Sequence, residues 1–205
     1  GMADLGDDDL ATNASLNVAL SLAVDSQDNI FIADLGNRRV REITSFDGKI
    51  STVAGGVVFD GRSLGDGDSA NLATLFAPTS VAIDSIRLFI ADAGTDRLVG
   101  LGDSRIRLVQ PASGLGNIFT FAGGGSNPSD GVLAKDAMLD PVVSIAIDKN
   151  GNVFLLELDV DRRRDDNSGG RIKRIDAATG VIKVIAGTGE LGFSGDGGPA
   201  INARF

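Results

Sequence analysis

Apolar runs of strand length follow one another along this chain in a fixed order, each closed by a polar turn. In a first set they occupy residues 21–25, 30–34, 40–44 and 50–54. In a second they occupy 80–84, 88–92, 106–110 and 118–122, and in a third 144–148, 153–158, 172–176 and 181–186. Val, Ile, Leu and Phe dominate these runs, which predicts β-strands throughout and no long helix. Between the first two runs lie Asp25-Ser26-Gln27-Asp28-Asn29 and Asp148-Lys149-Asn150-Gly151-Asn152, which read as tight hairpins with a residue at positive φ. The fourth run ends each time in Ala-Gly, at Gly55, Gly123 and Gly187. The first run is almost continuously apolar at 20–24 and 143–147, so it is expected to be an inner, buried strand.

A related opening introduces each set. Gly6-Asp7-Asp8-Asp9-Leu10-Ala11-Thr12-Asn13-Ala14-Ser15-Leu16 recurs as Gly65-Asp66-Gly67-Asp68-Ser69-Ala70-Asn71-Leu72-Ala73-Thr74-Leu75. It recurs again at 129–139, and a fourth copy occupies 195–205. The aspartates Asp7, Asp66, Asp130 and Asp196 fall at intervals of 59, 64 and 66 residues. The Ala-x-x-Ala-x-Leu part of the opening suits a single helical turn. A regular period means stacked copies of one supersecondary unit, none able to bury its apolar face alone. Four antiparallel strands per copy, repeated radially, predict an all-β fold, a β-propeller. Residues 1–205 then form one partial propeller with blades at about 6–55, 65–123 and 129–187, and a further repeat starting at 194–205.

Composition narrows the chemistry. At 205 residues the chain is one domain or a large piece of one. It has no cysteine, which removes disulfides, thiolate nucleophiles and cysteine metal sites. It has no histidine either, which removes the commonest general base near neutral pH and the commonest transition-metal ligand. With no Trp or Tyr, only the ten phenylalanines could supply an aromatic platform. A net charge of −9 argues against a nucleic-acid partner, because phosphate binding needs clustered Lys and Arg. No apolar run has the length of a membrane-crossing helix, so no membrane partner is expected.

The string Asn29-Ile30-Phe31-Ile32-Ala33-Asp34-Leu35-Gly36-Asn37-Arg38-Arg39-Val40-Arg41, followed by Ile50-Ser51-Thr52-Val53-Ala54-Gly55, resembles the NHL repeat of NHL-type propellers. So do Leu88-Phe89-Ile90-Ala91-Asp92-Ala93-Gly94-Thr95-Asp96-Arg97-Leu98 and the tail at 195–205. The likeness covers essentially the whole chain. The third copy departs most, with Glu157 where the others have Asp34 and Asp92. The resemblance implies a binding scaffold. It also reaches NHL-like lyases, whose chemistry relies on histidine and so carries over to no residue here. Bacterial proteins of this resemblance are often exported.

Propellers close with four to eight blades, and three are present. An open array exposes two blade faces meant to be buried. Either the chain belongs to a longer propeller, or two copies complete a ring of six as a homodimer. In such a ring the openings at 7–16 and 195–205 would compete for one junction, which favours a piece of a longer array.

Strand order places the first-to-second and third-to-fourth turns on one face. The second-to-third loops and the long links between blades lie on the other, and a binding site is expected there. Its candidate residues are Asp66, Asp68, Asp103, Asp130, Asp161, Arg162, Arg163, Arg164, Asp165 and Asp196. The three consecutive arginines read either as an anion-recognition loop or as a solvated hairpin, and the charge alternation favours the hairpin. The acidic openings invite a calcium ion but lack the Asp-x-Asp-x-Asp-Gly loop with its distal Glu, so no cofactor is expected and a turn-stabilising role is favoured. Two sets of structural pairs are also expected: Asp34 with Arg39 or Arg41, and Asp92 with Arg97 or Arg105. Substituting Asp34 by Ala is expected to destabilise the fold by about 1–3 kcal/mol.

The leading functional reading is a non-enzymatic scaffold offering its long-loop face to a protein, peptide or carbohydrate. The alternative is a divalent-metal-dependent hydrolase or lyase of propeller fold, whose catalytic groups are carboxylates or lie outside these repeats.

Overall fold

A computed structural model describes residues 6–57, 64–94, 104–112, 116–158 and 169–205. It contains three four-stranded antiparallel sheets, each built from consecutive strands in the order of the sequence. Sheet one comprises β1 (Ala19–Val24), β2 (Ile30–Asp34), β3 (Arg39–Ile43) and β4 (Ile50–Gly55). Sheet two comprises β5 (Pro78–Ile83), β6 (Leu88–Asp92), β7 (Arg105–Gln110) and β8 (Asn117–Gly123). Sheet three comprises β9 (Val142–Ile147), β10 (Val153–Leu158), β11 (Gly170–Ile175) and β12 (Ile182–Ala186).

Two compact units divide the chain. The first, Gly1–Asp92 with Ile106–Thr120, holds sheet one and most of sheet two. The second, Ala93–Arg105 with Phe121–Phe205, holds sheet three. In the first unit, one core joins Phe31, Ala33, Val40, Val53 and Ala54 of sheet one to Val81, Leu88 and Ile90 of sheet two. Strand alternation supplies this: residues two apart point to the same side of a sheet, and the apolar side meets its neighbour.

The first strand begins earlier than the apolar runs predict, because each acquires a β-bulge. Pairing slips between Ala19 and Ser21, between Pro78 and Ser80, and opposite Leu156 and Glu157. One repeat position thus takes one extra residue, and the strand bends there. The hairpin turns are as predicted, with Asp28 and Gly151 at φ 63° and 81°. In each of these two sheets the two short turns are tied together. Ser45 donates its backbone N–H to Asn29 Oδ1 at 2.9 Å, and Ala177 donates its own to Asn152 Oδ1 at 2.9 Å.

The openings form single 3₁₀ turns at Ala11–Asn13, Ala70–Leu72, Ala134–Asp136 and Ala200–Asn202. The first three run beside the fourth strand of their own sheet, with Asp8, Gly67 and Gly131 donating N–H to the carbonyls of Ile50, Ile118 and Ile182. Past the turn, a large apolar side chain drops onto the glycine that ends the preceding sheet. A Cβ on Gly55 would lie 2.9 Å from Leu75, one on Gly123 would lie 2.8 Å from Leu139, and one on Gly187 would lie 2.9 Å from Phe205. The same Cβ would strike the carbonyl oxygens of Arg38, Ser104 and Gly170 at 2.2–2.4 Å, and φ at the three glycines is +81° to +86°. Only glycine fits this socket.

One expectation is corrected. The inner first strand was expected to be buried, but β1 is exposed: Leu22 is 66% accessible, whereas its equivalents Val81 and Ile145 are 4% and 7%. The sequence of β1 is as apolar as theirs. Val81 lies in one core with residues of sheet one, and β1 has no such cover among the described residues.

Candidate functional site

The charged residues at the link end of each sheet form one recurring constellation. In sheet one, the register Asp34 to Arg39 and Ile32 to Arg41 places Asp34, Arg39 and Arg41 on one face, since alternate residues share a side. Asp34 and Arg41 are both fully buried, with Arg41 Nη1 4.0 Å from Asp34 Oδ2. Asp34 also accepts the Asn17 N–H at 2.8 Å and the Asn37 side-chain amide at 2.8 Å. The other arm of Arg41 binds Asp7 from the opening. Asp7 in turn accepts the Thr52 hydroxyl at 2.8 Å and lies 3.8 Å from Arg39. The opening aspartate is therefore a clamp on the third strand, reaching well beyond its own turn.

The second repeat builds the same clamp. Buried Arg107 donates to Asp66 Oδ1 at 2.5 Å and to the carbonyls of Leu64 and Thr74 at 3.2 and 3.4 Å. Asp92 accepts the backbone N–H groups of Phe76 and Ala77 at 3.0 and 2.7 Å. Arg105 packs against Gly124, as Arg39 does against Gly56.

The third repeat breaks the pattern. Lys173 stands where Arg41 and Arg107 stand, and Glu157 where Asp34 and Asp92 stand. The residues matching Phe76 and Ala77 are Asp140 and Pro141. Proline has no N–H to donate, and Asp140 brings a second negative charge. Glu157, one methylene longer than aspartate, reaches Lys173 instead, with Oε2 2.7 Å from Nζ. Its Oε1 is buried with no hydrogen-bond partner among the described residues. Burial pushes the Glu157 carboxyl up to about 7; Lys173 opposes the rise and Asp140 adds to it. Asp130 releases the third strand and accepts the Val184 N–H at 2.7 Å. A cavity of about 230 Å³ opens between these groups, lined by Asp130, Met138, Asp140, Arg171, Lys173 and Val184 among others.

Of the residues singled out from sequence, Asp66 and Asp130 belong to this constellation. Asp68 and Asp196 are exposed in their openings; the Asp68 carbonyl accepts the Ile118 N–H at 3.0 Å, and Asp196 precedes the last 3₁₀ turn. Asp103, Asp161, Arg162, Arg163, Arg164, Asp165 and Arg97 lie outside the described residues. Arg107, Asp140 and Lys173 were not singled out, and Asp7 was assigned only a turn-stabilising role in its own opening. Their signal was the recurrence of a cation at the third-strand position 41, 107 and 173 together with the opening aspartate. Asp7 and Asp66 are directed at arginines, and Asp130 accepts a backbone amide. Among the described residues, no three acidic side chains converge as a metal site would require.

Comparison with known proteins agrees with this architecture. No family model matches the chain, and no curated protein matches it. Among solved structures, a gluconolactonase from Xanthomonas campestris superposes with a TM-score of 0.55 at 14% identity, over 86% of this chain and 49% of that one. A chain of a nidogen/laminin complex superposes with a TM-score of 0.53 at 15% identity, over 83% of this chain and 49% of its own length. The fold is of the β-propeller type. The chain spans about half the length of these propellers, consistent with its three sheets, each of which is one blade. At such identity the likeness carries the fold alone.

Proposed function

We propose that this chain is a non-enzymatic binding module of NHL-propeller type, which takes a polar group of a peptide or carbohydrate partner at the link end of its third blade. The supporting observation is the opened clamp. Two blades place a buried arginine beside the opening aspartate here; the third has Lys173 instead, next to a cavity of about 230 Å³ holding Asp130, Asp140, Arg171 and Lys173, whereas in the cavity of about 430 Å³ beside sheet one Asp7 is committed to Arg41. Two carboxylates and two cations line it. That suits sugar hydroxyls or the charged ends of a peptide better than a polyanion. The NHL assignment rests on the repeated Ala-Asp strand end, the following cation and the Ala-Gly terminus.

The test is an NMR titration with two probes, a panel of neutral hexoses and a peptide carrying one Lys and one Glu. Binding is expected to shift the Val184 and Lys173 amides and to be lost in Lys173→Met. Shifts confined to other blades, or none with either probe, would overturn the reading.

The alternative, a metal-assisted hydrolase or lyase, has one observation in its favour: Glu157 beside Asp140 carries a carboxyl that titrates near neutrality, as a general acid or base does. Lactone and ester hydrolysis assays with added Mg²⁺, Ca²⁺ and Zn²⁺ test it, with Glu157→Gln as the control.

A further inference from the structure

Val18, Leu20, Leu22 and Val24 form an exposed apolar row along β1, continued by Leu16 in the segment before it. The chain itself shows what covers such a row. At the equivalent place in sheet two, Val81 is buried against Phe31, Ala33, Val40, Val53 and Ala54 of sheet one. The residues of sheet three that match those five are Phe154, Leu156, Ile172, Ile185 and Ala186, and none of them is buried. One chain thus carries an uncovered row and an uncovered face of the kind that covers it.

The last joint of the repeat adds a constraint. In the first unit, the glycine socket of sheet one receives Leu75 of the next repeat. The socket of sheet three at Gly187 is already filled by Phe205. The segment behind Phe205 is anchored by Gly187 N–H to the Ala200 carbonyl at 3.0 Å and Thr188 N–H to the Ala203 carbonyl at 2.9 Å. Leu16 has the same place in its repeat as Leu75, Leu139 and Phe205, and it is exposed.

We infer that the β1 row is a docking surface for the sheet-three face of a second copy of this chain, and that Ala200–Phe205 restrains the association by filling the socket that Leu16 of the second copy would enter. The contact is heterologous, since a different patch is used on each copy. The face is apolar at its centre, at Phe154, Leu156, Ile172 and Ile185, with Arg174 and Lys183 beside them toward its outer edge. The interaction is driven by removal of apolar surface from water.

Sedimentation velocity over a wide concentration range tests this, with circular dichroism melts confirming that each variant is folded. Wild type is expected to pass from 21.0 kDa toward twice that mass or more as concentration rises. Leu22→Glu and Ile185→Glu each alter one of the two patches, so each alone is expected to stay monomeric. An equimolar mixture of the two is expected to recover a dimer, because one intact row then meets one intact face. Phe205→Ala is expected to associate at several-fold lower concentration than wild type. Phe46→Glu, at a fully exposed site in the β3–β4 turn, is expected to change nothing. A wild type that remains at 21.0 kDa throughout, a dimer that survives Leu22→Glu, or a mixture that does not reassociate would overturn the docking surface. Unchanged or weaker association in Phe205→Ala would overturn the restraint.

Discussion

Removal of the Asp34 carboxylate is the sharpest test of how these blades are held. The side chain is fully buried and accepts two hydrogen bonds, from the Asn17 N–H and the Asn37 amide, both at 2.8 Å. Hydrogen bonds to a charged acceptor contribute about 1.5–3 kcal/mol each, and donors left buried without a partner keep their desolvation penalty. The 4.0 Å approach of Arg41 Nη1 is an ion pair without a hydrogen bond. Breaking a buried pair outright costs about 3–5 kcal/mol, but Arg41 retains Asp7 on its other arm. Asp34→Ala is therefore expected to destabilise by about 2–4 kcal/mol. Asp7→Ala, at a residue about one-third exposed, should cost only about 1–2 kcal/mol. With no Trp or Tyr in the chain, the assay is urea unfolding followed by far-ultraviolet circular dichroism, read as a shift in midpoint at constant slope. A double-mutant cycle with Arg41→Met isolates the through-space coupling, expected at about 1–2 kcal/mol. An Asp34→Ala midpoint within about 0.5 kcal/mol of wild type would refute the claim that this carboxylate organises the blade.

Other outcomes follow from the same structure. Native Glu157 holds its proton more tightly than the unfolded chain does, so its contribution is fully present below about pH 4.5 and is lost as pH rises toward 7, on the order of 3 kcal/mol; Glu157→Gln should flatten that slope in melts from pH 5 to 8. Hydrogen bonds from Asn152 hold Asp148 below the usual carboxylate range, so its contribution is present above its ordinary value near 3.8 and fades as acid protonates it; Asp148→Asn should remove that part of the acid sensitivity. Gly123→Ala places a Cβ 2.2 Å from the Ser104 carbonyl at φ +81°, and should cost at least about 2–4 kcal/mol in urea unfolding. Leu139→Ala, which empties the same socket, should cost about 2–5 kcal/mol.

Strands, short turns and terminal glycines were legible because each is written locally. An apolar run bounded by Asp-x-x-x-Asn or by Ala-Gly needs no distant partner to be recognised. The clamp was only half legible. Asp34 and Arg41 are close enough along the chain to be paired on paper, but Asp7 lies far upstream of Arg41 and was read as belonging to its own turn. The cavity in the third blade was least legible of all. The altered charge set beside it combines three differences, Lys173 for arginine, Glu157 for aspartate and Pro141 for a residue with an N–H, and each looks conservative when taken alone. The exposure of β1 has no sequence signal, since burial depends on a neighbour rather than on the strand.

The glycine sockets have a practical consequence for anyone who would build with this chain. Each joint between repeats is specified by a glycine at the end of one sheet and a single bulky side chain arriving from the next. Neither partner lies in the β2–β3 or β6–β7 connections, whose lengths already differ between repeats. The last residues of those connections, Arg38 and Ser104, do supply the carbonyls that floor two sockets, so a loop library must keep them, and Asn37 beside Asp34, as its fixed frame.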